Sequence, residues 1–589
     1  GSGFVGSIDN VSVKEVLAPD GDFTFSRGSN LSATRVGPGP NHYIEKGREN
    51  LVKQSNSFST PPWTASNANV TSGQSGYDGS SDAWKIEANT TSQTFVNQAS
   101  SISAFNPVTF SVYAKSGNVD FLKIFLVKSG DNSIVTFDLT DGSNSFDLRN
   151  ISVNAENVGN GWYRCSITAA TNANVTGVRI EIRSAAAANQ AVAGSFIYVQ
   201  DAQLEQGLVA TPYIKTGALT AQAGILENTP RFDYSGGATC PSLLLEPSRT
   251  NVAGQSEYQS STIYGNQDVS IADNVAISPE GLNNAAKIIL DSGDNTSNGG
   301  HSLSFSSTAG TDYTISVFAK AGEMRYFTFT YGSSAAGGGH FDLQEGTLLG
   351  TITNGQYSNE SASIEDYGNG WYRLVVSLTD DSGGGGRYLS MKPSPSASVP
   401  SNNNYASTGD GASGAYIYGF QLEVSASYAT SYIPTYGSSQ TRSVDLSSVS
   451  SMISNGIIND ERFTFMMHLK ILGRATNPQV YLTDVSGNRI VSLNTQALNK
   501  ASFYSPDAAS YIGNGTFIGD SVKIAISYDG NKFVQYVNGA KDGTLSLNIT
   551  SVINGINLNN NILNAIDAKQ LLVFKEALSE TELIKLTTI

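Results

Sequence analysis

The chain has 589 residues, 39% apolar and 10% aromatic, which is too long for one hydrophobic core and rich enough to build several. Only 14% of residues are charged and 59 are Gly, a balance that suits short strands and tight turns better than long charged helices. The net charge is −15 without clustered Lys or Arg, and no apolar run approaches the ~20 residues of a membrane span, so neither nucleic acid nor membrane insertion is expected.

In chain order, GFVGSIDNVSVKEV at 3–16 has no basic stretch followed by an apolar core and does not read as a secretory leader. It resembles the closing segment of a module found twice further on. Residues 1–17 are therefore assigned as the terminal strand of a preceding module, a sticky edge that needs a partner. An ordered connector follows at 18–45, with FTFSRGSNLSATRV at 23–36.

Two long segments then carry the same motifs in the same order. AWKIE at 83–87 matches AAKII at 285–289, and FSVYAK at 110–115 matches ISVFAK at 315–320. TFDL at 136–139 matches HFDL at 340–343, and GNGWYR stands at both 159–164 and 368–373. FIYVQDAQLEQG at 196–207 matches AYIYGFQLEVS at 415–425, and ATPYIKT at 210–216 matches ATSYIPT at 429–435. This is one domain present twice, over 46–216 and 247–436, with an ordered connector over 217–246. Apolar and polar residues alternate in most shared segments, with turn signals such as Asp141–Gly142 and Asn160–Gly161 between them. The pattern predicts two homologous antiparallel jelly-roll sandwiches in an all-β chain. Trp162 and Trp371 sit where a turn launches a strand, and Cys165 aligns with Leu374, so GNGWYR reads as repeated framework rather than a duplicated ligand site.

Residues 437–589 differ in texture. Three alternating strands (RFTFMMHLKIL, SVKIAISYDG, KFVQYVNGA) precede a strand that runs into a short helix, with Ser579 as N-cap and Glu582 closing a capping box.

Reactive constellations are sparse. His42, His301, His340 and His468 are scattered, and GGGG at 383–386 lacks the Lys–Ser/Thr of a phosphate loop. Glu365–Asp366 and Asp380–Asp381 are adjacent pairs whose members point to opposite strand faces. Cys165 and Cys240 read as two buried thiols. The chain is accordingly expected to be non-enzymatic. Sugar recognition uses aromatic faces beside amide and carboxylate groups. The loop aromatics that fit are Trp63 and Tyr77 in the first copy, Tyr258 and Tyr264 in the second, and Tyr504 and Tyr511 in the last domain. No cofactor is required; calcium is the candidate cation, with Asp20, Asp22 and Asp529 as ligands in Asp–Gly turns.

The last domain resembles the laminin-G/concanavalin-A-like sandwich family. The likeness rests on residues 525–530, on YVNG at 536–539, and on Val573, Phe574, Ser579, Glu582 and Leu583. The repeats resemble jelly-roll, carbohydrate-binding-like modules of bacteriophage virion proteins, especially tail and head fibres. That likeness rests on ENL at 49–51, Phe58 with Trp63, FSVYAK, GNGWYR, QLE at 203–205 and 421–423, Tyr213 and YIPT at 432–435. The connectors, with TPRFDY at 229–234 and LLLE at 243–246, match as well. The second copy departs from the pattern with Tyr264 near the place of Trp63. The resemblance implies a structural fibre or appendage protein on the virion surface. Its implied partners are other virion proteins and host cell-surface glycans, and fibre symmetry implies a homotrimer. A tailspike polysaccharide depolymerase and a bacterial surface adhesin are the rival readings.

Overall fold

A computed structural model of the chain describes residues 23–589, apart from 31–32, 34–36, 38–42, 104–105, 171–172, 236–240, 296–298, 333–335, 402–406, 459–461, 472–477, 498–499, 519–520, 548, 550–552 and 559–565. The segment assigned to a preceding module, together with Asp20, Asp22, His42 and Cys240, lies outside the described residues.

The architecture is all-β, as expected, with one helix among the described residues. The described residues form two units that are compact in themselves, one made of residues 27–242 and 248–444, the other of 23–26, 243–247 and 445–589.

The first unit holds both repeats. Each is a sandwich of two antiparallel sheets with six main strands apiece in the same order, and in repeat 2 the short strands Arg249–Asn251 and Gln440–Arg442 bring the front sheet to eight. In the front sheet of repeat 1 the order is Ser152–Gly159, Trp162–Ala170, Pro107–Ser116, Phe196–Gln206, Ala83–Ala88, Ala68–Gln74. In repeat 2 it is Tyr357–Asp366, Trp371–Asp380, Thr311–Ala321, Gly414–Val424, Ala285–Leu290, Val269–Ala276. The back sheets correspond in the same way, from Thr64–Ser66 to Asn144–Leu148 in one and from Tyr264–Gln267 to Thr347–Ile352 in the other. Strand alternation sends Val112, Ala114, Cys165 and Ile167 into the core of repeat 1, and Val317, Ala319, Leu374 and Val376 into that of repeat 2. Cys165 is a free, buried thiol.

The second unit is also a two-sheet antiparallel sandwich. One sheet includes Phe463–Ile471, Ser521–Tyr528, Lys532–Val537 and Ile566–Phe574; the other includes Leu446–Val449, Gly555–Leu558 and Lys500–Ser505. Part of the expected 217–246 connector belongs to this core: residues 243–245 pair with 566–568, and Leu245 is buried there. The helix Glu580–Thr587 starts at Ser579, whose hydroxyl accepts from Glu582 N–H while the Glu582 carboxylate accepts from Ser579 N–H at 2.8 Å. No described helix is long and apolar enough to cross a membrane.

Candidate functional site

The shared motifs outside the cores turn out to be latches. Asn50 donates to the carbonyls of Ala202 and Ile214 and accepts from Leu204 N–H; Asn251 does the same with Phe420, Ile433 and Leu422. Gln203 and Glu205 hold the closing segment of repeat 1 through Ile214 and Thr211, as Gln421 and Glu423 hold Ile433 and Thr430 in repeat 2. These pairings satisfy buried polar groups, and that need accounts for the repetition.

GNGWYR divides between two faces. Tyr163 and Cys165 enter the core, whereas Trp162 and Arg164 project from the other face of the front sheet. Trp162 is nevertheless only 2% exposed, because Tyr113 and Ala83 pack around it. On each front sheet a cross-strand row runs Trp–Lys–Tyr–Lys: Trp162, Lys115, Tyr198 and Lys85 in repeat 1, and Trp371, Lys320, Tyr416 and Lys287 in repeat 2. These outer faces are the homologous surfaces on which the repeats differ.

In repeat 2 the face is closed by the chain's own connector. Ala33 and Ile44 pack on Phe318, Tyr367, Trp371, Tyr418 and Tyr432. Ile44 N–H donates to the Pro279 carbonyl at 2.8 Å, and Trp371 Nε1–H donates to the Ile277 carbonyl at 2.9 Å. Lys46 then places its ammonium 2.5 Å from Glu257 Oε1 and 3.0 Å from Glu280 Oε2. The rings of Tyr418 and Tyr436 lie 5.9 and 5.5 Å from Lys46 Nζ. Burial opposes the charge on Lys46, but the two glutamates outweigh it and hold its pKa well above the ordinary lysine value.

In repeat 1 the corresponding face is covered by the repeat's own Tyr77, which stays half-buried over the buried Tyr113 and Trp162. Tyr77 stacks on Tyr113 with centroids 3.8 Å apart and rings nearly parallel, and its edge meets Trp162 at 6.4 Å. Its hydroxyl donates to Asp201 Oδ2 at 3.0 Å, and its N–H donates to Gln200 Oε1 at 3.1 Å. Gln200 in turn donates to Asp82 Oδ1 at 2.8 Å and to Asp78 Oδ1 at 3.3 Å. Asp201 is aimed into this group by a bulge in its strand: its φ is +53°, where the homologous residue is Gly419 at +64°. A Cβ on Gly419 would come 3.0 Å from the Phe318 ring, so a side chain there would press on that ring. Burial pushes the Asp201 carboxyl up to about 6, while hydrogen bonds from Ser80 hold exposed Asp78 below its ordinary value. Among the described residues no Lys or Arg pairs with Asp78, Asp82 or Asp201.

The predicted loop aromatics separate on inspection. Trp63 is 4% exposed and packs 5.0 Å from Phe58 in the core, and its Nε1–H donates to the Gln54 carbonyl. Tyr264 is buried in the same place of repeat 2, where its hydroxyl donates to the Gln255 carbonyl. The Trp-to-Tyr change thus preserves one structural role, and neither ring offers a face to a ligand. Tyr258 is half-buried near Asp273. Tyr504 and Tyr511 form an edge-to-face pair on adjacent strands of the second unit, the latter 41% exposed. Tyr77 alone among the six joins a cluster of carboxylates. Asp529 accepts from Asn531 and Lys532 N–H groups and closes its turn. No group of three or more metal-ligating side chains occurs among the described residues. Sequence reading missed Asp201, Gln200, Asp78, Asp82 and the Lys46–Glu257–Glu280 triad. The Asp201-for-Gly419 difference inside an otherwise matched segment was the available signal.

Fold and site together define an all-β protein of tandem antiparallel sandwiches, each with a covered aromatic cluster on its outer face. No family model and no curated protein matches the chain. Among solved structures, the tandem CBM22-1–CBM22-2 domain of Paenibacillus barcinonensis Xyn10C matches at 12% identity and a TM-score of 0.20, covering 64% of this chain and 96% of that one. Trypanosoma rangeli sialidase with 2,3-difluorosialic acid matches at 9% identity and 0.20, covering 95% and 97%. The same sialidase with the inhibitor DANA matches at 11% and 0.21, covering 97% and 98%. At these TM-scores no activity is assigned to this chain by likeness.

One expectation is corrected at this point. The chain was expected to be non-enzymatic, yet sialidases, which are enzymes, stand among the matched structures, and that expectation is withdrawn. The geometry shows why acid spacing along the sequence was a poor guide: Glu257 and Glu280 meet at a single ammonium although 22 positions separate them in the chain.

Proposed function

We propose that this chain is a bacteriophage virion appendage protein that holds host-surface glycan on the outer face of repeat 1. The observation that carries the binding reading is the half-buried Tyr77 ring, stacked on Tyr113 beside the exposed Asp78 and Asp82, where the homologous face of repeat 2 is covered by Ala33 and Ile44. An aromatic plate takes the C–H face of a sugar, and the carboxylates accept from its hydroxyls. The virion setting, a laminin-G-like last domain, other virion proteins as partners and a trimeric assembly rest on the sequence resemblance. Retention on immobilised bacterial surface polysaccharides tests the binding, with reducing-end release measured in the same tubes. Tyr77→Ala should weaken retention at least about tenfold, since a lost aromatic contact is worth on the order of 1.4 kcal/mol or more. Loss of the stack on Tyr113 and of the hydrogen bond to Asp201 should lower the melting temperature, so retention is compared at a temperature where both proteins are folded. Retention by neither protein, or equal retention by both, refutes the site; a monomer by light scattering refutes the trimer.

A further inference from the structure

Positive charge that is scattered along the sequence gathers on one face of the second unit. In a chain of net charge −15, residues 445–589 hold nearly as many Lys and Arg as Asp and Glu. In the strand Phe463–Ile471, Phe465, Met467 and Leu469 enter the core, so His468 and Lys470 stand on the outer face. Lys523 of Ser521–Tyr528 pairs directly with His468 on one side, and Gln570 of Ile566–Phe574 pairs with it on the other. A register shift beside Gln570 leaves Lys569 out of the ladder and exposed. Burial and the two ammoniums of Lys569 and Lys523 hold the His468 imidazole below the ordinary histidine value. Among the described residues none of Lys470, Lys523 and Lys569 is in an ion pair; Lys523 Nζ donates to the Thr588 carbonyl at 2.8 Å. The carboxylate across from Lys470, that of Asp567, is 4% exposed.

Like charges on facing strands cost stability, and an anion lying across them relieves that cost. At physiological ionic strength charges beyond about 8 Å are screened, so such an anion feels this strip rather than the acidic remainder of the chain. The chemistry of the strip narrows the anion. Its cations are lysines, which act as point charges, with no guanidinium fork to select a phosphate. No aromatic ring is paired with His468, Lys470 or Lys523 across the sheet, so a nucleic-acid base has nothing to stack on. Neighbouring strands lie about 4.8 Å apart, which suits a row of singly charged groups rather than one multivalent ion. We propose that the outer face around His468, Lys470, Lys523 and Lys569 binds an acidic, uronate-bearing polysaccharide, laid across the strands with its carboxylates against the ammoniums. This face is separate from the Tyr77 face and stands whether or not that face binds sugar.

The test is biolayer interferometry of the full chain on immobilised polygalacturonate at about 0.15 M salt, with dextran and duplex DNA as controls. Parent and Tyr77→Ala should bind polygalacturonate alike, which separates this face from the other. Lys569→Glu, on an exposed side chain, should weaken binding at least about tenfold. Lys532→Glu makes the same charge change at the other end of the sheet and should weaken it less than about twofold. Binding should tighten from about pH 7.5 to about pH 5, as His468 becomes charged against the bound carboxylates, and His468→Gln should remove that gain. If His468→Gln melts early, the two lysine variants decide alone. No binding of polygalacturonate, equal binding of dextran, binding of duplex DNA as tight, or equal losses in the two lysine variants overturns the proposal.

Discussion

Lys46→Met tests the closed face of repeat 2. Methionine keeps most of the apolar stem and removes the ammonium. Lys46, Glu257 and Glu280 are 6%, 1% and 4% exposed, so two carboxylates are left buried against one another, and Glu257 Oε2 already lacks a donor. Removing one partner from a buried pair costs about 3–5 kcal/mol, and one cation serving two anions places the loss near the upper end, about 5 kcal/mol at pH 7. Part of it should return as the pH is lowered, because burial and the neighbouring carboxylate already raise Glu257 above the ordinary glutamate range and loss of the ammonium raises it further, so that it takes up a proton. Denaturant unfolding of the full chain, followed by intrinsic fluorescence, reads the transition that includes Trp371, which packs in the same cluster. Lys46→Met combined with Glu257→Gln and Glu280→Gln should recover at least half the loss, because no buried charge remains. A single variant whose stability at pH 7 lies within about 0.5 kcal/mol of the parent would show that the triad is not a buried ion pair at all.

Three further outcomes are expected. Trp162→Ala and Trp371→Ala should each destabilise by about 3–5 kcal/mol in the same unfolding assay, since both rings are 2% exposed; lost glycan retention with unchanged stability would make Trp162 a ligand contact instead. Asp201 is raised by burial from 3.8 to about 6, amid donors Tyr77 and Tyr213 and like charges Asp78 and Asp82. The native state therefore keeps a proton that the unfolded chain releases, and stability should fall as pH rises from about 4 to 6, by up to about 3 kcal/mol. Asp201→Asn should flatten that fall, and an unchanged pH profile would contradict it. Ser579→Ala breaks the capping box and should cost the second unit about 1 kcal/mol, measured as a shift in its unfolding midpoint.

The fold was legible because the duplication supplied two independent readings of each strand. FSVYAK and ISVFAK keep the same alternation, with Phe110, Val112 and Ala114 inward in one and Ile315, Val317 and Ala319 inward in the other. The helix cap was equally plain, since Ser579 and Glu582 act within one turn. The site was not legible, for a physical reason. Tyr77, Tyr113, Gln200 and Asp201 come from three places in the chain and meet only because the front sheet interleaves them. Trp63 and Tyr264 looked like loop aromatics because their hydrogen-bond partners are backbone carbonyls, which leave no trace in composition. Lys46 was read as the first residue of repeat 1, and its partners Glu257 and Glu280 follow a whole repeat later.

That last separation has a bearing on how the chain is made and inherited. The lysine that completes repeat 2 is synthesised at the very start of repeat 1, so it must wait for the rest of that repeat and the following connector to emerge before its counter-ions exist. Excising the first copy, or expressing the second alone from residue 247, would leave Glu257 and Glu280 facing each other without it. A duplication usually yields two interchangeable parts, but this latch has tied the copies together. The tandem, rather than either sandwich, is the smallest piece of the chain that could be moved to another protein intact.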